Sequence, residues 1–124
     1  MININLFSKI NQIVEPSKEI IFDALESNKN GDIENKLGYI KFLNAGIYII
    51  NFSAFIQPEC KIILYKNDNI EIESLSSNIH HVIKLLINDV ICIKNDNIES
   101  INCNNINLNI ISISLYSIKE DYDD

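Results

Sequence analysis

At 124 residues, with 47% hydrophobic and 22% charged side chains, the sequence is long enough for one domain around one core and too apolar to stay disordered. Its net charge of −7 excludes the basic surface that a nucleic acid or an anionic membrane requires. No run approaches the ~20 apolar residues of a membrane span, so no membrane insertion is expected, and MININLFSKI (1–10) lacks the basic and apolar regions of a secretory signal.

Ile and Asn dominate, Arg and Trp are absent, and Gly and Pro are scarce, a bias that AT-rich bacterial coding explains without reference to function. Ile is β-branched and favours strands. In chain order, EIIFDAL (19–25) and YIKFL (39–43) are the first short apolar runs, with the Asn-rich SNKNGDIEN (27–35) between them. GIYIINFSAFI (46–56) alternates most clearly: Tyr48, Ile50, Phe52, Ala54 and Ile56 share one face, which predicts a strand with that face in a core. KIILY (61–65) and IEIESL (70–75) follow. NIHHVIKLLINDV (78–90) is ambiguous. Ile79, Ile83, Leu86, Ile87 and Val90 fit a helix, whereas a strand places Ile79, Ile83, Leu85 and Ile87 on one face with His81; the all-β context favours the strand. DVICI (89–93) and INLNIISISLYSI (106–118) complete the series. About ten short strands separated by Asn, Asp and Ser predict an antiparallel sandwich or barrel. A single domain over 1–119 is expected, followed by an acidic, solvated tail over 120–124.

The string KNDNIE occurs twice, at 66–71 and 94–99. Asn and Asp tolerate left-handed backbone and bond their own main chain, so N-D-N between apolar runs is turn chemistry. An EF-hand-type calcium loop would need a longer ligand series, a Gly and a terminal Glu, and a solenoid would need three or more units. Both copies are expected to be turns.

The remaining candidates carry little chemistry. His80 and His81 are adjacent, so in a strand they point to opposite faces and cannot chelate one metal. Glu71, Glu73 and Glu99 have no convergent partner that would make an acid pair. Cys60, Cys92 and Cys103 are widely spaced, with no zinc spacing; Cys92 is expected to be buried, while Cys60 and Cys103 flank turns where exposure would permit intermolecular disulfides. Asn51-Phe52-Ser53 matches a glycosylation pattern but lies within a strand. No nucleophile–base arrangement or phosphate loop is present. No catalytic residue, cofactor or metal is expected, and the protein reads as non-enzymatic.

Several stretches together resemble the C-terminal domain of the collagen-like exosporium glycoproteins of spore-forming bacteria (the BclA type), within the tumour-necrosis-factor and complement component 1q jelly-roll superfamily. The resemblance runs from about residue 7 to residue 119. LNAGIYIINFSAFI (43–56) is its most specific piece and resembles the family's N-A-G-x-Y-x-(I/V)-N-F-x-(V/A) signature. IVEPSKEIIFD (13–23) resembles the opening strands, and KIILYKNDNIEIES (61–74) the hairpin after the signature. VIKLLINDVICIKN (82–95) resembles the stretch ending in G-D-x-(L/I)-x-(L/I)-x-N, with Asn88 in place of the usual Gly, and ISISLYSIK (111–119) the closing strand. Residues 1–124 contain no Gly-X-Y stretch, so no collagen-like stalk is expected ahead of the domain.

The resemblance implies an all-β antiparallel jelly-roll sandwich that forms homotrimers, with opening and closing strands near the three-fold axis. It also implies a structural role on the spore surface, in exosporium or coat, with other spore-layer proteins as further partners. A ligand-binding module that recognises a carbohydrate or a receptor protein through its loops is the alternative. One feature of the residues bears on the trimer. Ile106, Leu108 and Ile110 occupy one face of the last strand, then Ile111, Ile113 and Leu115 the other. Either a bulge resets the parity, or both faces are buried and the second needs a partner. In the second case Ile111, Ile113, Leu115 and Tyr116 are the expected trimer interface.

Overall fold

The structure is a computed structural model that describes residues 3–26 and 32–113, with Ala24–Glu26 described by backbone alone. The interface candidates Leu115 and Tyr116, the tail over 120–124 and most of the 27–35 loop lie outside the described residues. Eleven strands run through the described chain: β1 (Asn3–Ser8), β2 (Gln12–Val14), β3 (Ala24–Glu26), β4 (Ile33–Lys36), β5 (Tyr39–Phe42), β6 (Gly46–Gln57), β7 (Ile62–Lys66), β8 (Asn69–Ser74), β9 (Asn78–Leu85), β10 (Val90–Asn95) and β11 (Ile101–Ile113). One sheet has the order β3-β1-β11-β6-β9, with β2 also on β11; the other has the order β4-β5-β10-β7-β8. Every pairing is antiparallel. The expected jelly-roll sandwich is the fold observed.

Alternation puts the core between the sheets. Tyr48, Ile50, Phe52 and Ile56 of β6 are buried and Ala54 packs partly buried against them, as their spacing predicted. Ile4, Leu6, Leu108 and Ile110 extend that inner face across β1 and β11, and Ile40, Phe42, Ile62, Leu64, Ile91 and Ile93 meet it from the other sheet. Phe42 and Tyr48 cross edge to face with centroids 4.7 Å apart. The Tyr48 hydroxyl escapes the apolar interior by donating to the Asn44 carbonyl at 2.7 Å, and burial pushes its pKa up. Residues 78–85 are a strand, with Ile79, Ile83 and Leu85 buried and His81 partly so. Ile87, expected on that inner face, instead sits exposed in the turn that follows.

Two expectations need correction. The stretch 19–25 is not a strand: Glu19 makes an isolated bridge to Lys94, and β3 begins only at Ala24. Its backbone groups find other partners. Ile20 N–H donates to the Ile93 carbonyl at 2.8 Å, and Ile21 N–H donates to Gln12 Oε1 at 2.9 Å while Gln12 Nε2 returns a bond to the Ile21 carbonyl. Asn35 Nδ2 holds the Phe22 carbonyl at 2.8 Å. These bonds satisfy the main chain without a ladder, and Ile20 and Phe22 are buried all the same. The opening strand is instead β1, whose Ile4 and Leu6 point inward between outward Asn3, Asn5 and Phe7.

The two KNDNIE copies fold differently. In the first, Asn67 and Asp68 have φ of 49° and 65° and join β7 to β8 as a two-residue hairpin turn. The second leaves β10 for β11 in the other sheet, and Asn95 is fully buried there. Its Nδ2 donates to the carbonyls of Val14 at 3.0 Å and Glu99 at 2.9 Å, and its Oδ1 accepts from Asn97 N–H at 2.9 Å and Asn97 Nδ2 at 2.7 Å. The first copy turns by backbone conformation and the second by side-chain bonding.

Candidate interaction surface

The parity shift between Ile110 and Ile111 is not a bulge. Ile110 pairs with Ile4 and Ile50, and Ile111 pairs with Asn3 and Ile49, in unbroken register on both sides. The irregularity in β11 lies between Asn104 and Asn107, where Asn105 takes φ 50°. Ile111 and Ile113 therefore point away from the core, as expected if both faces are to be buried, and in the isolated chain they are half-buried. Ile47 and Ile49 stand beside them on β6, and Val82 on β9 completes the row, 52% exposed.

Below this apolar row runs a polar one. Register places Asn5, Asn109, Asn51 and His80 side by side across β1, β11, β6 and β9. Asn109 Nδ2 donates to Asn5 Oδ1 at 2.7 Å and to Asn3 Oδ1 at 2.8 Å. Asn51 Nδ2 donates to Asn109 Oδ1 at 3.5 Å, and Asn51 Oδ1 bonds His80 Nδ1. A depression of about 320 Å³ opens along this row, with Ser53, Asn78 and Asn107 on its far side.

The charge pattern separates this face from the rest of the surface. Among the described outward-pointing side chains of β1, β11, β6 and β9 there is no carboxylate, and His80 and Lys84, both on edge strand β9, are the only titratable groups; Glu26 stands in register opposite Asn5 on the outer strand β3. Lys9, beyond β1, reaches over the Phe7 ring at 5.6 Å. The outward face of the other sheet is charged instead. Lys61 pairs there with Asp96 at 3.2 Å and Glu73 at 3.7 Å, and Lys94 lies 4.9 Å from the Tyr65 ring centroid. In a chain of net charge −7, the rows carried by β1, β11, β6 and β9 present the least like-charge repulsion to a second copy.

The other candidate groups do not converge. His80 and His81 point to opposite faces, as their adjacency predicted: His80 faces outward, while His81 Nε2 meets Glu71 Oε2 at 3.0 Å. That pair links β9 of one sheet to β8 of the other, so Glu71 serves as a clasp between sheet edges. Glu99 is exposed. No group of three or more metal-ligating side chains occurs among the described residues. Cys92 is buried, as expected, and its thiol is pushed up to about 11 by burial. Cys103, expected beside a turn, is fully buried because β11 already begins at Ile101 and turns it inward opposite Ile56. Burial pushes its pKa up to about 12, which removes it as a crosslinking thiolate. Cys60 is half-buried, and burial raises its pKa too.

The polar row was missed in the sequence. Its members lie up to 104 positions apart, and only the alternation of Asn with Ile in β1 and β11 hinted that these carboxamides share a face.

No family model matches the chain, and no curated protein matches its sequence. Solved structures match its fold. The Eiger TNF of S. frugiperda superposes with a TM-score of 0.73 at 8% identity, covering 91% of this chain and 92% of that one. The globular domain of the zebrafish complement 1qA protein gives 0.69 at 17% identity, with 92% and 98% covered. Rabbit GITRL gives 0.65 at 16% identity, with 90% and 94% covered. The chain therefore has the jelly-roll sandwich fold shared by these tumour-necrosis-factor and complement 1q proteins.

Proposed function

We propose that the protein is a non-enzymatic structural module that assembles as a homotrimer and contributes to the surface layer of a bacterial spore, in exosporium or coat. The observation that carries the assembly is the continuous register through Ile110 and Ile111. It aims Ile111 and Ile113 outward beside Ile47 and Ile49, on strands β1, β11, β6 and β9, whose described outward side chains include no carboxylate. A strand apolar on both faces loses the benefit of one face unless something covers it. A further copy of an acidic chain fits there because the rows on β1, β11, β6 and β9 carry no carboxylate. Support for the spore layer is the likeness of residues 43–56 to the exosporium signature; these residues supply β6, the strand that carries Ile47 and Ile49 of the apolar row.

Absolute mass by light scattering behind gel filtration tests the assembly. The expected value is about three times 14.2 kDa, unchanged by reductant because Cys92 and Cys103 are buried and half-buried Cys60 has its thiol pKa raised by burial. A monomeric mass would overturn the trimer. Immunogold labelling of intact and exosporium-stripped spores tests the location; gold confined to the mother-cell cytoplasm would overturn it.

A further inference from the structure

We propose that the outward face of the second sheet carries a binding site for one neutral sugar residue, in a depression floored by Cys92 and Val90 between Tyr39 and the turn at Asn67 and Asp68. The site lies on the opposite sheet from the apolar row assigned to assembly, so it does not rest on the trimeric reading.

Strand register builds the place. On β10, Ile91 and Ile93 point into the core, which turns Val90, Cys92 and Lys94 to the other side. Cys92 pairs with Tyr65 of β7, and the pairing of Ile91 with Ile40 of β5 brings Tyr39 alongside it. A small residue thus separates two aromatic ones, whose strands lie about 10 Å apart. The depression there holds about 270 Å³ and is lined by Tyr39, Val90, Cys92, Asn67 and Asp68. The two copies of KNDNIE bracket it. The first supplies Asn67 and Asp68. The second supplies Lys94, whose ammonium stands 4.9 Å from the Tyr65 ring centroid and 5.9 Å from that of Tyr39.

The polar groups at the rim are set in advance. Asn67 Oδ1 accepts from the Val90 N–H at 2.9 Å and its Nδ2 donates to Asp89 at 2.9 Å, which fixes the turn. Asp68 is held at φ 65° and is exposed. Among the described residues its carboxylate has no hydrogen bond or ion pair, so it is an acceptor left for a ligand.

Charge then selects the ligand class. Lys94 brings N–H donors and Asp68 an acceptor, with Glu19 bridged to Lys94 and Lys41 paired with Val90. The signs balance locally. A cationic ligand meets the ammonium that already faces both rings, and a phosphate or carboxylate meets Asp68 on a chain of net charge −7. A pyranose has hydroxyls that donate and accept, and C–H faces that pack on an aromatic ring, so it matches donor, acceptor and Tyr39 together. The volume falls at the lower edge of what ligand pockets span, which fits one sugar residue and not a chain of them.

The test titrates the full chain with the methyl glycosides of glucose, galactose, mannose, N-acetylglucosamine and rhamnose, each to about 20 mM. Saturation transfer to the sugar protons reads the binding, and tyrosine fluorescence follows it in a chain without Trp. At least one glycoside is expected to bind with Kd on the order of 1 mM. Asp68→Gly and Tyr39→Ala are each expected to weaken it about tenfold or more. Glycine takes the left-handed backbone of position 68 readily, so Asp68→Gly decides the point even where Tyr39→Ala loosens the fold. No binding of any of these glycosides by the wild-type chain would overturn the site. Binding that Asp68→Gly retains at full strength would overturn it too, by placing the sugar elsewhere on the surface. Neither result bears on the trimer, which is read by mass and involves the other sheet.

Discussion

Leu37 occupies the left-handed region at φ 51°, next to Gly38 at φ 87°, in the two-residue turn between Lys36 and Tyr39. A side chain branched beyond Cβ costs about 1–2 kcal/mol there relative to residues suited to that conformation, and Leu37 is 70% exposed, so its side chain returns little. Asn at this position is expected to stabilise the fold by about 1 kcal/mol, read as a higher midpoint in urea. An unchanged or lower midpoint would show that Leu37 is held by contacts elsewhere. Its neighbour allows no such freedom, because a Cβ on Gly38 would stand 2.3 Å from the Ile20 carbonyl oxygen. Asn88 follows the same backbone logic at φ 74°, a left-handed conformation that Asn tolerates better than most residues. Beside it, the Leu86 N–H and the Asn67 side chain both donate to Asp89 and hold its carboxyl below the ordinary value.

At the scale of elements, KNDNIE shows how far a local string determines its own conformation. Asp68 needs only a left-handed backbone, so Asp68→Gly is expected to change stability by no more than a few tenths of a kcal/mol. Asn95 satisfies two carbonyls from inside the fold, so Asn95→Ala is expected to cost about 2–3 kcal/mol through unpaired buried groups. Denaturation midpoints of the two variants, measured side by side, decide the point; equal losses would mean that both copies turn by the same means. The same contrast explains what could be read in advance. Alternation within 46–56 depends on neighbours in the chain, and its five inward residues were legible. Strand pairing of 19–25 was not, because Gln12 and Asn35 take over its hydrogen bonds from outside the segment. Cys103 was misplaced for a related reason: Asn102, Asn104 and Asn105 look like a turn, yet they belong to a strand with one irregularity. Of the candidate interface, the outward aim of Ile111 was readable as one of two alternatives, while the polar row exists only once four strands are laid side by side.

For the whole molecule, the proposed trimer turns on two consecutive isoleucines that face opposite ways. Ile110 is fully buried between the sheets, so Ile110→Ala is expected to cost about 2–5 kcal/mol of folding stability through lost burial and the cavity left behind. Ile111 is half-buried on the outward face, where Asp can stay hydrated in the isolated subunit. In the proposed trimer the same carboxylate would be buried once in each subunit, and a buried charge without a partner costs several kcal/mol. Ile111→Asp is therefore expected to remain folded by circular dichroism, melt cooperatively and run at the monomer mass. If Ile111→Asp keeps the mass of the wild-type trimer, this sheet face is not the interface and the subunits join elsewhere. If instead it unfolds as Ile110→Ala weakens, the outward row supports the single chain and its apolar character carries no message about assembly. Only a folded monomer connects the parity of one strand, through an apolar row on an acidic protein, to the proposed association of three copies.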